Sequence, residues 1–257
     1  MSSYFVTGSL LSIPHNLVDM SEHFTRLCLM LNLIITFTIC LILALPLKRL
    51  GIGWHMGMND ALGSQLTAIE ERWEKRYQAF DERLNLKGNI IDSKRHLDFG
   101  CGFGSFARIL AEKYPDVQVY GIDVDKGKIE IGKKRYRLPN LHLLHSKVMI
   151  GRYDSITSLF TLHEIADVRK ALDDLHRHLN VNGRIMIYEF RKRGKAKYRE
   201  WYVKGRREQD IGEEYRKHNR WTVREFERIC VNASFKTIKI GVVGDFWLFY
   251  IGTKFVE

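Results

Sequence analysis

The stretch HLDFGCGFG, from His96 to Gly104, sets glycine at every second position behind an aspartate. Glycine has no Cβ, so Gly100, Gly102 and Gly104 permit a tight turn and let another group come close to the backbone. RHLDFG before the loop reads as a strand and SFARILAEKYP after it as a helix, which places the glycines at a strand-to-helix junction. The dinucleotide fingerprint G-x-G-x-x-G would need glycine at position 105, where this chain has Ser105, so the spacing argues against a nicotinamide cofactor.

Outward from the loop the pattern alternates. VQVYGIDV precedes helical KGKIEIGKKRYRL, LHLLHS is a short strand, YDSITSLF precedes VRKALDDLHRHLNVNG, and RIMIYEF is a fifth strand. Such alternation implies right-handed βαβ crossovers and a mostly parallel sheet covered on both faces, with ligands at the carboxyl ends of its strands. A helix, TVREFERICVNA, and two further strands, FKTIKIGVV and DFWLFYIGTKF, end the chain; the short gap at Gly244 and Asp245 predicts an antiparallel hairpin at the sheet edge. Upstream, SQLTAIEERWEKRYQAFDERLNL has helical periodicity through Leu66, Ile69, Trp73, Tyr77 and Phe80, with Ser64 as its expected N-cap.

Asp98-x-Gly100-x-Gly102-x-Gly104, followed by Asp123 at the end of the second strand, resembles the first motifs of class I S-adenosylmethionine-dependent methyltransferases, and the order of elements carries the resemblance over residues 64–257. It implies a Rossmann-like α/β fold with a seven-stranded, mostly parallel sheet and S-adenosyl-L-methionine as cofactor. On the same resemblance Asp98 and the three glycines face the methionine part of the cofactor, and Asp123 holds the ribose hydroxyls, as a carboxylate can accept both hydrogens of a diol. Asp125, directly before KGKIEIGKK, reads instead as a helix N-cap. Where relatives often carry an acid after the third strand, this chain has His145, Ser146 and Lys147, which leaves adenine to backbone groups or to Ser146. SLFTLHEIADVRKAL, which holds Phe160 at the cofactor's edge, and LNVNGRIMIYEF, with Asn182-Gly183 as a turn, look like segments of methyltransferases that act on quinones and other lipid-like molecules.

A sulfonium is already a reactive methyl donor, so alignment does most of the work, and a base is needed only when the acceptor has a proton to lose. His163 and Glu164, in the loop after strand four, and Glu189, at the end of strand five, are the candidate catalytic residues. His163 is either the base or a packing or cofactor-edge residue; Glu164 is either involved directly or caps the next helix; Glu189 either positions an acceptor hydroxyl or amine or is a surface carboxylate paired with Arg191 or Lys192. The segment 191–220 is the expected lid, with 12 Lys/Arg against 5 Asp/Glu and with Tyr198, Trp201, Tyr202, Tyr215 and Trp221 between the cations. That mixture suits a lipid interface, with aromatics at head-group depth, or RNA through stacking and phosphate contacts.

The 21-residue run Leu27–Leu47 carries no charge, and as a helix it would span about 30 Å, the thickness of a bilayer core. A secretory signal, a buried core helix or a later start at Met56 or Met58 are the competing readings. Lys48 and Arg49 follow the run directly, so the positive-inside bias puts the remainder in the cytoplasm. The expected organisation is a leader and single transmembrane helix in 1–50, a linker over 51–63 and a methyltransferase domain over 64–257. Cys28, Cys40, Cys101 and Cys230 form no C-x-x-C pair and suggest neither zinc nor a disulfide framework. The net charge of +11 among 257 residues fits a partner that carries phosphate. The leading expectation is therefore a membrane-anchored methyltransferase of a hydrophobic small molecule. A methyltransferase of RNA or protein, or a cofactor-binding partner without activity, are the alternatives; the chain has no N-P-P-Y-like motif after strand four.

Overall fold

A computed structural model describes residues 55–90, 92–203 and 211–254. Residues 65–257 cluster as one compact unit, separate from 1–64. In chain order the elements are α1 (His55–Leu84), α2 (Leu86–Ile90), β1 (Arg95–Phe99), α3 (Ser105–Lys113), β2 (Gln118–Asp123), α4 (Lys126–Arg135), β3 (Leu141–His145) and β4 (Tyr153–Leu159). A 3₁₀ turn (Leu162–Glu164), α5 (Val168–His178), β5 (Leu179–Phe190), α6 (Lys195–Val203), α7 (Ile211–His218), α8 (Val223–Asn232), β6 (Phe235–Val243) and β7 (Trp247–Lys254) complete the fold.

The strands form a seven-stranded sheet in the order β3-β2-β1-β4-β5-β7-β6. β1 to β5 run parallel, whereas β7 pairs antiparallel with β5 and β6 antiparallel with β7. Alternation along each strand divides the core. Ile185 and Ile187 bury against α5 and α8, while Met186 and Tyr188 bury on the opposite face with α1 and α3. Strand order reverses between β1 and β4, so the glycine loop after β1 and the turn after β4 flank the switch point where such sheets bind ligands.

Three local readings change. α1 begins at His55, so Ser64 lies inside the helix, and the stretch expected as a linker is helical over its described part; Met58, Ala61 and Leu62 between Gly57 and Gly63 are good helix formers. Asn182-Gly183 makes no separate turn: Asn182, at φ 61°, is absorbed as an irregularity within β5. Tyr198, Tyr202 and Trp221 are buried, and so are not aromatics at head-group depth. Tyr198 stacks with Tyr202 and its hydroxyl meets His218 Nδ1 at 2.7 Å, which makes these lid aromatics packing residues. The apolar run at 27–47 lies outside the described residues; among those described, no helix is long and apolar enough to cross a membrane.

α1 is held to the sheet domain along one stripe. Trp73, Tyr77 and Phe80 surround Phe106 of α3, and Phe80 meets Tyr188 edge-on at 4.8 Å. Glu70 accepts two bonds from Arg135 at 2.5 and 2.7 Å and one from the Tyr136 hydroxyl, and the Arg135 bonds hold its carboxyl below the usual range.

Candidate functional site

The three glycines are required for different reasons. Their φ values, 76°, 57° and 80°, lie in the left-handed region, where a side chain costs about 1–2 kcal/mol. A Cβ on Gly100 would collide with the Thr161 side chain, and one on Gly104 would come within 2.6 Å of Leu143. At Gly102 a Cβ would meet nothing within 4 Å. Packing accounts for the outer pair, and the middle glycine faces the open space of the site. Gly102→Ala is therefore expected to lower stability by only about 1 kcal/mol while weakening cofactor affinity more than tenfold. Gly100→Ala is expected to cost about 2–4 kcal/mol through strain plus overpacking. Chemical denaturation and calorimetric titration on both variants separate the two effects.

The loop is fixed from both sides. Gly100 and Cys101 N–H groups donate to the Ile122 carbonyl, and Gly102 N–H donates to Asp123 Oδ2 at 2.8 Å. Asp123 Oδ1 accepts from Asp125 N–H at 2.8 Å, and Asp125 in turn caps α4 by accepting from Lys128 N–H. Each Asp123 oxygen keeps lone-pair capacity for a further donor. Val124, next to Asp123 in the chain, and Val148, three residues after β3, are both exposed, and Ser146 N–H donates to the Asp123 carbonyl between them in sequence. An open glycine backbone, a pinned carboxylate with free acceptor positions and adjacent apolar surface fit an S-adenosyl group. The Ser146 hydroxyl donates to the Val148 carbonyl and accepts from Val148 N–H, so its own hydrogen is already used within the loop.

Asp98 is buried at the end of β1, where Oδ1 accepts the Thr157 hydroxyl at 3.0 Å. Burial pushes its carboxyl up to about 7, the Thr157 bond opposes this, and the nearby Asp123 adds to it.

β4 is followed by Phe160, whose φ of 54° is a strained conformation for an aromatic residue. Thr161 follows, its hydroxyl within 3.2 Å of the Phe99 carbonyl and 3.4 Å of the Gly100 carbonyl, and so joins the glycine loop to the 3₁₀ turn. In that turn Glu189 receives His163: its oxygens lie 2.9 and 3.0 Å from Nδ1, and Oε2 also accepts His163 N–H. Glu189 is fully buried, and burial raises its carboxyl while the bonds from His163 oppose the rise. With Nδ1–H donated to a carboxylate, the lone pair of the neutral imidazole sits on Nε2, the arrangement a general base needs.

Glu164 does not cap α5; Asp167 does, accepting from Lys170 N–H. Glu164 instead lies 3.4 Å from His163 Nε2 and 3.2 Å from Lys217 Nζ of α7. The lid supplies residues that the spacing did not single out. Arg220 Nη1 donates to the carbonyls of Leu162, His163 and Ile165, the last at 2.6 Å, and so clasps the turn that carries His163. His218 stacks on Phe190 at 3.7 Å and stands 4.8 Å from the His163 ring. Phe160, Phe190, Trp201 and Phe246 form a continuous aromatic wall beside it. No signal in the sequence pairs residues 163 and 218, because a strand and two helices separate them.

A family model described as a methyltransferase domain matches residues 71–240. The chain belongs to the class I S-adenosylmethionine-dependent methyltransferases. Among curated relatives, the methyltransferase is 28% identical over 120 residues to a 2-phytyl-1,4-naphtoquinone methyltransferase of Nostoc sp., covering 42% of this chain and 52% of that one. It is 31% identical over 104 residues to a demethylmenaquinone methyltransferase of Thermus thermophilus, covering 38% and 47%. The chain thus spans about half the length of the curated relatives it matches. Its fold is similar to the plantazolicin methyltransferase BpumL, solved with SAH, at a TM-score of 0.59 and 12% identity, covering 78% of this chain and 92% of that one.

Proposed function

We propose that this methyltransferase transfers a methyl group to a hydrophobic small molecule of the isoprenoid-quinone or lipid class that carries an ionisable proton, with His163 as general base. The observation that carries the reading is the buried Glu189–His163 pair set against the aromatic wall of Phe160, Phe190 and Trp201. A base is superfluous for an acceptor that is already nucleophilic, and an aromatic wall suits a flat apolar ring. The names of the quinone-methylating relatives support the same class of acceptor.

Bound S-adenosylmethionine would supply the electrophilic methyl group. Asp98, Gly102 and Asp123 would hold it, Val124 and Val148 would cover its apolar face, and Phe160 would edge the pocket. Glu189 keeps His163 in the Nδ1–H tautomer, and His163 Nε2 takes the acceptor's proton. Glu164, tied to Lys217, stands beside that nitrogen. We further propose that the run at 27–47 anchors the protein in a membrane with the catalytic domain on the cytoplasmic side, next to acceptors dissolved in lipid.

Calorimetric titration of the full chain with S-adenosylmethionine is expected to show saturable binding, followed by transfer of labelled methyl to a membrane-lipid extract and to reduced prenylated quinones. Label confined to an RNA fraction, or no binding, would overturn the reading. Comparing membrane and soluble fractions of cells that express the chain with and without residues 1–50 tests the anchor.

A further inference from the structure

A continuous line of buried hydrogen bonds crosses the sheet below the glycine loop. Ser93, just before β1, is 2.8 Å from Ser155 Oγ; Ser155 is 2.7 Å from His96 Nδ1; His96 Nε2 is 3.0 Å from Thr157 Oγ1; Thr157 reaches Asp98 Oδ1 at 3.0 Å. All five side chains are buried, and Ser93 lies at the end of β1 opposite Asp98.

We propose that Ser93, Ser155, His96 and Thr157 form a proton relay that sets the charge of Asp98 beneath the cofactor loop, with His96 as a positioning residue that changes tautomer as Asp98 gains or loses its proton.

Donor counting gives the relay its direction. An ionised Asp98 only accepts, so Thr157 must donate its single hydrogen to it. Thr157 then accepts from His96 Nε2–H, Nδ1 is left with the lone pair, and Ser155 donates to Nδ1 while accepting from Ser93. When Asp98 takes up a proton, each member passes one forward. The Thr157 hydrogen moves to Asp98, His96 Nε2–H to Thr157, the Ser155 hydrogen to Nδ1, the Ser93 hydrogen to Ser155, and a solvent hydronium at Ser93 replaces the last and is left as water. One proton has crossed, no electron pair has left its atom's valence shell, and His96 has become the Nδ1–H tautomer.

Burial keeps His96 neutral by pushing its pKa down to about 3, as such a relay requires. The other titratable groups acting with Asp98 are Asp123 at the end of β2 and the Cys101 thiol, which burial holds protonated. A cationic ligand in the loop favours the ionised carboxyl, and the line gives its proton an exit away from the ligand. The functional value of the relay rests on the cofactor site proposed above, whereas its chemistry is testable in the free protein.

Histidine ¹⁵N shifts distinguish the two neutral tautomers. In the ligand-free full chain, with His96 assigned through its backbone, Nε2–H is expected at about pH 9 and Nδ1–H at about pH 5, and S-adenosylmethionine is expected to move the midpoint to lower pH. Thr157→Val should freeze the tautomer and weaken S-adenosylmethionine binding about tenfold. A single tautomer across the range in the unaltered protein would overturn the proposal, and that measurement decides it even if the variant does not fold. A titrating tautomer without any S-adenosylmethionine binding would sustain the relay and refute the cofactor reading.

Discussion

Asp98→Asn is expected to make the ligand-free domain more stable at pH 8 while weakening its hold on S-adenosylmethionine about 10- to 100-fold. Burial raises the Asp98 carboxyl from 3.8 to about 7. A raised folded-state pKa contributes stability that is fully present below the unfolded value and is lost as pH climbs through the folded one, so the loss falls between about pH 4 and pH 7. A shift of about three units corresponds to about 4 kcal/mol as an upper bound, or roughly 10 °C in melting temperature for a domain of this size. Asparagine keeps the shape and can donate to Thr157, but has no charge to leave unsolvated. Melts at pH 4 should coincide for the two proteins and separate increasingly towards pH 8. An asparagine variant less stable than the parent at pH 8 would mean that the ionised carboxyl is well compensated inside the protein. The acid is thus held at a cost to the fold, as expected of a group retained for binding.

Much of this site follows from local sequence, and the remainder from contacts that no local pattern encodes. The glycine spacing, the alternation of strand and helix, and Asp123 at the end of β2 each act over a few residues, and the sheet has the expected seven strands with its antiparallel end. Asp125 was legible as an N-cap because capping is a three-residue interaction. Why each glycine is glycine was not legible, since Gly100 answers to Thr161 and Gly104 to Leu143, both distant in the chain. The burial of part of the segment 191–220 was not legible for the same reason: its aromatics beside cations suggest an interface, yet Tyr198 is turned inward onto His218 with Tyr202 stacked on it. Glu189, expected at an acceptor, is fully enclosed and spends both oxygens on His163, a pairing set by register between β5 and the turn after β4.

His163→Ala is expected to lower kcat by about 10²- to 10⁴-fold, the range for a positioned base, with the affinity for S-adenosylmethionine unchanged within about twofold. Glu189→Gln should lower kcat by a smaller factor. An amide can present either its oxygen or its NH₂ to Nδ1, so His163 loses the carboxylate that fixes Nδ1–H and steadies the imidazolium formed on proton uptake. The two side chains act as one unit, so the double variant should be no slower than His163→Ala, and the coupling energy should equal nearly the whole Glu189 effect. Glu189→Gln is expected to alter stability little, because the charge-assisted bonds it loses are offset by the burial cost it no longer bears. An alanine variant with full kcat would remove His163 from the chemistry and leave an acceptor that needs no base.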